Sequence, residues 1–180
     1  RNDWQIIGDI SVSPAETLRL LVELIVKYLS NCVEPDFIPL RFTLGPTSKP
    51  FGLGVKGTVE LKNLLSLYRR AEEFIEEYGR IPSVPSDGIV DYGPSHLLEV
   101  AAKAVVFYSE FRSLPESIEI GDISDLPDVV RKWNLIERVR SQWKWIVLPR
   151  DFDSQKIEDL TMWQSWTIRP AVFSGTDGKR

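Results

Sequence analysis

The chain has 180 residues, of which 43% are hydrophobic and 27% are charged, and its formal net charge is −4. This length is typical of one domain, or of two small units that share a core, and it allows folding without disulfides or metals. The single cysteine and single histidine exclude an internal disulfide and a multi-ligand Cys/His zinc site. The acidic balance argues against nucleic acid, and no apolar run approaches the ~18–20 residues of a membrane-spanning helix. We therefore expect no nucleic-acid partner, no membrane span, no cofactor and no metal.

Four stretches of different composition follow one another along the chain. Residues 1–45 hold an apolar helix and then an alternating stretch, residues 37–42, which is long enough for a short strand. Residues 46–60 are a Gly/Pro-rich loop, residues 61–125 hold two further helical units, and residues 126–180 form a Trp-rich segment with a linker-like tail. Because the chain starts without Met and ends on this tail, we expect it to be a segment of a longer protein.

One sequence unit recurs along the chain. Residues 71–82, shifted by 33 positions, land on residues 104–115 with similar side chains at six places. These places are Ala71/Ala104, Phe74/Phe107, Glu77/Glu110, Tyr78/Phe111, Ile81/Leu114 and Pro82/Pro115. A shift of 80 relates residues 13–40 to residues 93–120 in the same way. A fixed period of this kind predicts units that cannot bury their apolar faces alone and therefore stack on one another.

Each unit is predicted to form a helix, a turn and a short extended segment. In the second unit an apolar stripe with 3,4 spacing covers residues 64–78, opposite a glutamate-rich face. Gly79 fits a left-handed helix cap, and Pro82 prevents the helix from continuing. Pro94 opens the third helix, and Ser117–Ile120 alternates as a short strand does. The predicted fold is mainly α: helix–turn–short strand repeats stacked into one compact domain, with a small β component.

The sequence gives little support for a catalytic site. Cys32 follows an apolar helix, where the helix dipole disfavours a thiolate, and His96 lies in a first helical turn. A core or surface thiol and an exposed histidine explain this pair better than a thiol hydrolase does. Neighbouring carboxylates such as Glu72 and Glu73 lie on one solvated helix face and not across a cleft. We therefore expect a protein that is not an enzyme and has no catalytic residues.

Aromatic residues carry more information. Five of the six tryptophans fall between Trp133 and Trp166. A tryptophan at helical spacing most often belongs to a core, but five in one segment indicate that some line a groove or an interface. Tyr78, Tyr108 and Phe111 lie near the ends of the repeated helices, where packing under the proline turn is the first explanation.

Residues 70–82, which read Arg-Ala-Glu-Glu-Phe-Ile-Glu-Glu-Tyr-Gly-Arg-Ile-Pro, carry a family resemblance. Followed by a loop and a Gly-Pro-initiated helix, they resemble the pseudomurein-binding repeat of methanogenic archaea and their viruses. That family has an Ala-containing helix, a Gly-Arg-Leu-Pro-Asn turn and a short strand, and residues 111–120 look like the same turn and strand. The resemblance covers about residues 10–125. Ser83 and Glu116 stand where the family has Asn after the turn proline.

The resemblance implies a non-catalytic module that binds or anchors to the cell wall, in an extracellular, wall-associated surface or viral protein. Its partner would be pseudomurein, a glycan with peptide cross-links, bound near the proline turns. The candidate ligand-binding residues are Tyr78, Arg80, Tyr108, Phe111 and Arg112. The alternative hypothesis is a helical-repeat scaffold that assembles a surface structure or virion, with a protein partner at the Trp-rich segment.

Overall fold

The computed structural model describes residues 3–31, 37–52, 57–86, 90–143 and 154–169. In these ranges the fold is mainly α with a small β component, which confirms the predicted fold class. The helices are α1 (Pro14–Asn31), α2 (Leu65–Tyr78), α3 (Pro94–Phe111), α4 (Asp128–Lys132), α5 (Leu135–Trp143) and α6 (Ser154–Gln164). The strands are β1 (Gln5–Ile7), β2 (Ile10–Val12), β3 (Gly57–Glu60) and β4 (Ser117–Ile120). Short 3-10 turns precede α2, at Leu61–Leu64, and follow α6, at Ser165–Thr167.

Helix α1 is the centre of the helical bundle, because it packs against both α2 and α3. Arg19, near the start of α1, pairs with Glu76 near the end of α2. Glu23, one turn later, lines the same small cavity as Glu72, one turn earlier, so α1 and α2 run antiparallel.

The ends of α1 and α3 meet instead at a pair of aromatic rings. Tyr28 and Tyr108 approach edge to face, with 5.0 Å between their ring centroids and an interplanar angle of 66°. This is the favoured geometry of an aromatic pair, worth about 1 kcal/mol beyond the area it buries. The two tyrosines are equivalent under the shift of 80 positions, so the sequence repeat places like residues in contact.

An apolar core fills the space between these three helices and the β3–β4 pair. Its members from the helices include Leu18, Val22, Ile25, Leu67, Tyr68, Ala71, Ile75, Leu97, Ala101 and Ala104. The fully buried Tyr68 hydroxyl donates to the carbonyl oxygen of Leu97 at 3.0 Å and so links α2 to α3. Trp166, from the 3-10 turn after α6, is also fully buried in this core. The Trp-rich segment therefore shares the core of the repeats.

A cluster of paired charges covers the contact between α1 and α2. The buried Arg19 guanidinium donates to the buried Glu23 carboxylate at 3.1 Å and also to Glu76. Arg41 adds a second donor to Glu76, at 3.0 Å. Because a buried charge is tolerated only when it is paired, Arg19 depends on these carboxylates, whereas the Arg41–Glu76 pair is half exposed and adds little stability.

The strands differ in part from the prediction. Ser117–Ile120 is a strand as predicted, and it pairs antiparallel with β3, with Val59 opposite Ile118. Strand β3 occupies the last four residues of the predicted loop 46–60. The predicted strand at residues 37–42 is wrong: these residues form no ladder with any other part of the chain that the structure describes, and Pro39 within the stretch has no N–H to donate.

Candidate functional site

Two turns of the chain repeat each other in three dimensions. The α2 turn, residues 79–82, begins at Gly79 with a φ of 64°, and the α3 turn, residues 112–115, begins at Arg112 with a φ of 56°. In each turn the first residue donates its N–H to the carbonyl four residues earlier, at 2.9 and 2.8 Å respectively. Both helices thus end in the left-handed cap predicted for Gly79, and in both turns a proline follows three residues later.

A basic side chain ties each helix to the segment that follows its turn. The Arg70 guanidinium donates to the backbone carbonyl of Ser86. Lys103, 33 positions later, donates to the carbonyl of Glu119 at 2.6 Å, and Glu119 itself lies 33 positions after Ser86. The sequence period is therefore also a period of contacts.

The carbonyl just after each turn proline accepts a hydrogen bond from a distant backbone N–H. Ser83 accepts from Phe51 at 3.2 Å, and Glu116 accepts from Leu61 at 3.0 Å. These are the positions at which the resembled family has Asn. In this protein the backbone at these positions joins two segments whatever side chain the residue carries.

Each repeated helix ends in a pair of aromatic rings that contact each other at a tilted angle. Phe74 and Tyr78 lie 4.7 Å apart at an interplanar angle of 42°, and Phe107 and Phe111 lie 4.4 Å apart at 35°. The outer ring of each pair is open to solvent, with 53% of Tyr78 and 60% of Phe111 exposed. Packing under the proline turn is therefore the wrong explanation for these two rings. Each pair instead presents an aromatic platform at the protein surface.

A groove borders the α2 turn and has a volume of about 490 Å³. Phe74 and Pro82 provide apolar walls, and Arg70 and Ser83 provide polar ones. The hydroxyls of Ser48 and Ser83 hydrogen-bond to each other at 2.7 Å across its edge. We call this the proline-turn groove. An aromatic ring beside hydroxyls and a guanidinium suits a ligand that is itself polar and ring-shaped.

The five predicted ligand-binding residues fall into two groups. Tyr78 and Arg80 lie at the end of α2, whereas Tyr108, Phe111 and Arg112 lie at the end of α3. Tyr78, Phe111 and Arg112 are exposed, while Arg80 and Tyr108 are half-buried. Within each group the residues are neighbours along the chain, so each turn carries its own candidate contacts.

The two groups lie near different points along α1. The end of α2 meets α1 at Arg19, through Glu76, and the end of α3 meets it at Tyr28, through Tyr108. Nine residues of helix separate these two contacts, which corresponds to roughly 14 Å along the axis. The structure therefore does not merge the predicted residues into one pocket but forms two separate candidate sites.

Sequence reasoning missed the inner rings, Phe74 and Phe107, and the polar residues of the groove, Arg70 and Ser83. The spacing of four residues between Phe74 and Tyr78 was a usable signal, because such residues are neighbours on a helix surface. The groove had no local signal, since loop residues distant in sequence complete it.

His96 has a structural role. It is buried, so the expectation of an exposed histidine is wrong, and its Nδ1 accepts the N–H of Gly93 at 3.2 Å. Burial lowers the pKa of His96, which favours the neutral ring that can accept this bond. His96 thus caps the N-terminus of α3. An equivalent N-terminal cap begins α1, where the Glu16 carboxylate accepts the N–H of Ser13 at 2.8 Å. Cys32 lies outside the described residues.

The tryptophans divide between core and surface. Trp166 is fully buried, Trp163 is half-buried beside a cleft, and 40% of Trp133 is exposed. Arg138 lies over the Trp133 ring at 6.0 Å. The side chain of Trp143 and all of Trp145 lie outside the described residues.

No protein-family model, curated protein or solved structure matches this chain. Among the helices in the described ranges, none combines the length with the apolar character that a membrane crossing needs. In those same ranges no three His, Cys, Asp or Glu side chains converge as ligands for a metal ion.

Proposed function

We propose that this chain is a non-catalytic cell-wall-binding module whose ligand is pseudomurein. The observation that carries the proposal is the duplicated exposed aromatic pair, Phe74–Tyr78 and Phe107–Phe111, at equivalent turns. Sugar rings present apolar C–H faces that stack on aromatic rings, and each pair offers such a platform. The resemblance of residues 70–82 to the pseudomurein-binding repeat supports this polymer as the ligand.

Two separate platforms suit a polymeric ligand. A polymer carries the same recognised group many times, so a chain bound at one turn holds further copies near the other turn. The second contact then forms at a high effective concentration, and two weak sites together give firm attachment. A single small sugar would gain nothing from the duplication.

Polar side chains beside the rings would add specificity. Ser83 and Arg70 lie at the proline-turn groove next to Phe74, and Arg112 is exposed next to Phe111. A guanidinium forms paired hydrogen bonds with carboxylates, so these arginines would recognise the peptide part of the wall while the rings stack on sugars.

The proposal is tested by co-sedimentation of the whole chain with pseudomurein sacculi, with bacterial murein sacculi as the control wall. The informative variant combines Tyr78→Ala with Phe111→Ala, and the control is Ile157→Ala, which removes an exposed apolar side chain of α6, outside both turns and both aromatic pairs. We expect retention on pseudomurein only, unchanged in the control and at least about tenfold weaker in the double variant, as two lost ring contacts imply. Equal retention of the double variant would refute the platform, and no retention of the wild type would refute the function.

A scaffold function has one specific observation in its favour. The β1–β2 hairpin, closed by a turn at Gly8, exposes Ile6, Ile7 and Ile10, with Ile7 and Ile10 directly opposite each other. Exposed apolar edge strands pair readily with another chain, which would assemble modules in a surface structure. Light scattering after size exclusion tests this: an oligomer that Ile7→Ser dissociates supports the scaffold, and a wild-type monomer contradicts self-assembly.

A further inference from the structure

A second cavity, which shares no lining residue with the proline-turn groove, lies beside α6. It has a volume of about 520 Å³, within the range of roughly 300–1,000 Å³ that small-ligand sites occupy. The chain around Lys49, the loop around Asp125 and helix α6 form its walls. We call it the α6 cleft. It is one of the places where a residue of the Trp-rich segment, Trp163, lines a groove.

The apolar wall of the α6 cleft is held firmly in place. Trp163 and Met162 line it near the end of α6, and both are half-buried. The next residue, Gln164, donates its side-chain amide to the carbonyl of Pro46 at 2.8 Å. Gly45 packs so closely here that a Cβ on it would lie 2.8 Å from the Trp163 carbonyl oxygen. These contacts hold the backbone that carries Trp163 against the segment around residue 45.

Two carboxylates and one ammonium make up the charged part of the cleft lining. Asp125 accepts the backbone N–H of Gly52, and Asp159 accepts the side-chain amide of Gln155 at 2.8 Å. A carboxylate has about four acceptor positions, so one amide donor leaves each Asp able to accept more. With Lys49 as the cation among the lining residues, the cleft carries a net charge of about −1 at neutral pH.

This combination favours a cationic ligand over a neutral one. An ammonium is attracted both to carboxylates, through charge-assisted hydrogen bonds, and to the face of an indole. Trp163 and Met162 would cover an aliphatic stem, which a bare metal ion lacks. We propose that the α6 cleft binds a primary alkylammonium group such as the end of a lysine side chain, with Asp125 and Asp159 as its acceptors and Trp163 as its apolar wall.

The test titrates the whole chain with Nα-acetyl-lysine N-methylamide and follows the indole N–H resonances by NMR, with the Trp163 signal assigned from Trp163→Phe. The norleucine analogue, which has a similar stem without the charge, is the first control ligand, and N-acetylglucosamine is the second. We expect the lysine compound to saturate the Trp163 signal in roughly the millimolar range and to bind about tenfold more tightly than the norleucine analogue.

Variants separate the acceptors from general charge effects. Asp159→Asn should weaken binding about tenfold, because it removes the charge from one acceptor while keeping its shape. Glu110→Gln, a change of equal charge at an exposed position of α3, should leave binding unchanged. Lys49→Ala should bind equally or more tightly, because it removes a competing cation.

Three results would overturn the inference: equal binding of the norleucine analogue, tighter binding of the sugar, or no saturable change with any ligand. None of them bears on the proline turns, which the sacculus experiment tests separately.

Discussion

The α2 turn and the α3 turn have the same backbone but different surroundings. Both begin in a left-handed cap, both follow a tilted aromatic pair, and both are tied to the next segment by a basic side chain. After the α3 turn the chain enters β4 and pairs with β3, whereas after the α2 turn it borders the open proline-turn groove. The repeat therefore preserves how a helix ends and leaves the outer ring exposed in both turns, while the neighbouring segments decide whether a groove lies beside the turn.

The comparison also explains why the two turns tolerate different residues. The repeated hydrogen bonds end on backbone carbonyls, those of Ser83 and Ser86 in one turn and of Glu116 and Glu119 in the other. A backbone acceptor is present whatever the side chain is, so the geometry repeats although Ser has been replaced by Glu. Two repeats can therefore keep the same hydrogen bonds even where their side chains differ.

The largest expected difference between the turns is in the stability that their core-facing side chains contribute. Ile81, in the α2 turn, is 1% exposed in the core, whereas its equivalent Leu114 is only partly buried against it. Ile81→Ala should lower the free energy of unfolding by about 3 kcal/mol, and Leu114→Ala by roughly half as much, because the less buried site loses fewer contacts. Urea denaturation measures both, and equal losses would contradict the difference in burial.

A smaller effect is expected at the first residue of each turn, with opposite signs. Gly79→Ala should destabilise by about 1 kcal/mol, because a Cβ strains the left-handed conformation. Arg112→Gly should stabilise by up to about 1 kcal/mol, because it relieves the same strain in the α3 turn.

The matched control for these caps is Gly121→Ala, at a glycine whose φ is not positive and whose added Cβ would meet the Glu99 carboxylate at an ordinary 3.4 Å. Thermal unfolding of the three variants decides the matter. A stabilising Gly79→Ala, or a destabilising Arg112→Gly, would show that the two caps are not equivalent.

The smallest expected effect is a pH dependence at the start of α3. Burial lowers the pKa of His96 below its ordinary 6.5, so the folded protein binds this proton more weakly than the unfolded chain does. The stabilising contribution is then fully present above about pH 6.5 and declines as the pH falls towards the lowered pKa. Burial raises the pKa of Asp125 from 3.8, which acts in the opposite direction and at lower pH.

His96→Gln, which keeps an acceptor without the titration, tests this account. The urea midpoint of the variant should vary less between about pH 7 and about pH 5.5 than that of the wild type. An identical pH dependence in the two proteins would remove His96 as the cause.

Features set by neighbouring residues could be predicted from the sequence, and features set by distant ones could not. The Gly79 cap, the Pro94 helix start and strand β4 follow from local signals and are confirmed. The burial of His96 depends on chain segments that approach from elsewhere in the sequence, such as Gly52, at which a Cβ would clash with the His96 ring. The residues next to His96 in the sequence do not indicate which distant segments will pack against it.

The candidate site shows the same division. The 33-residue period identified Tyr78 and Phe111 as equivalent. In the structure both side chains are exposed, and each contacts the equivalent inner ring of its own helix. It could not show that the two turns meet α1 at different points, because that depends on the packing directions of α2 and α3. The sequence thus indicated the outer ring of each platform, but neither its inner ring nor the number and separation of the platforms.

The central claim, that the two turns are equivalent binding platforms, is tested most directly by binding isotherms on pseudomurein sacculi. The comparison includes the wild type, Tyr78→Ala, Phe111→Ala and the double variant, each at a temperature well below its own thermal unfolding. We predict that each single variant loses a similar part of the affinity and that the double variant binds at least about tenfold more weakly than the wild type, because binding at one platform raises the effective concentration of ligand at the other. If one single variant binds like the wild type while the other binds like the double variant, only one turn binds and the claim is wrong.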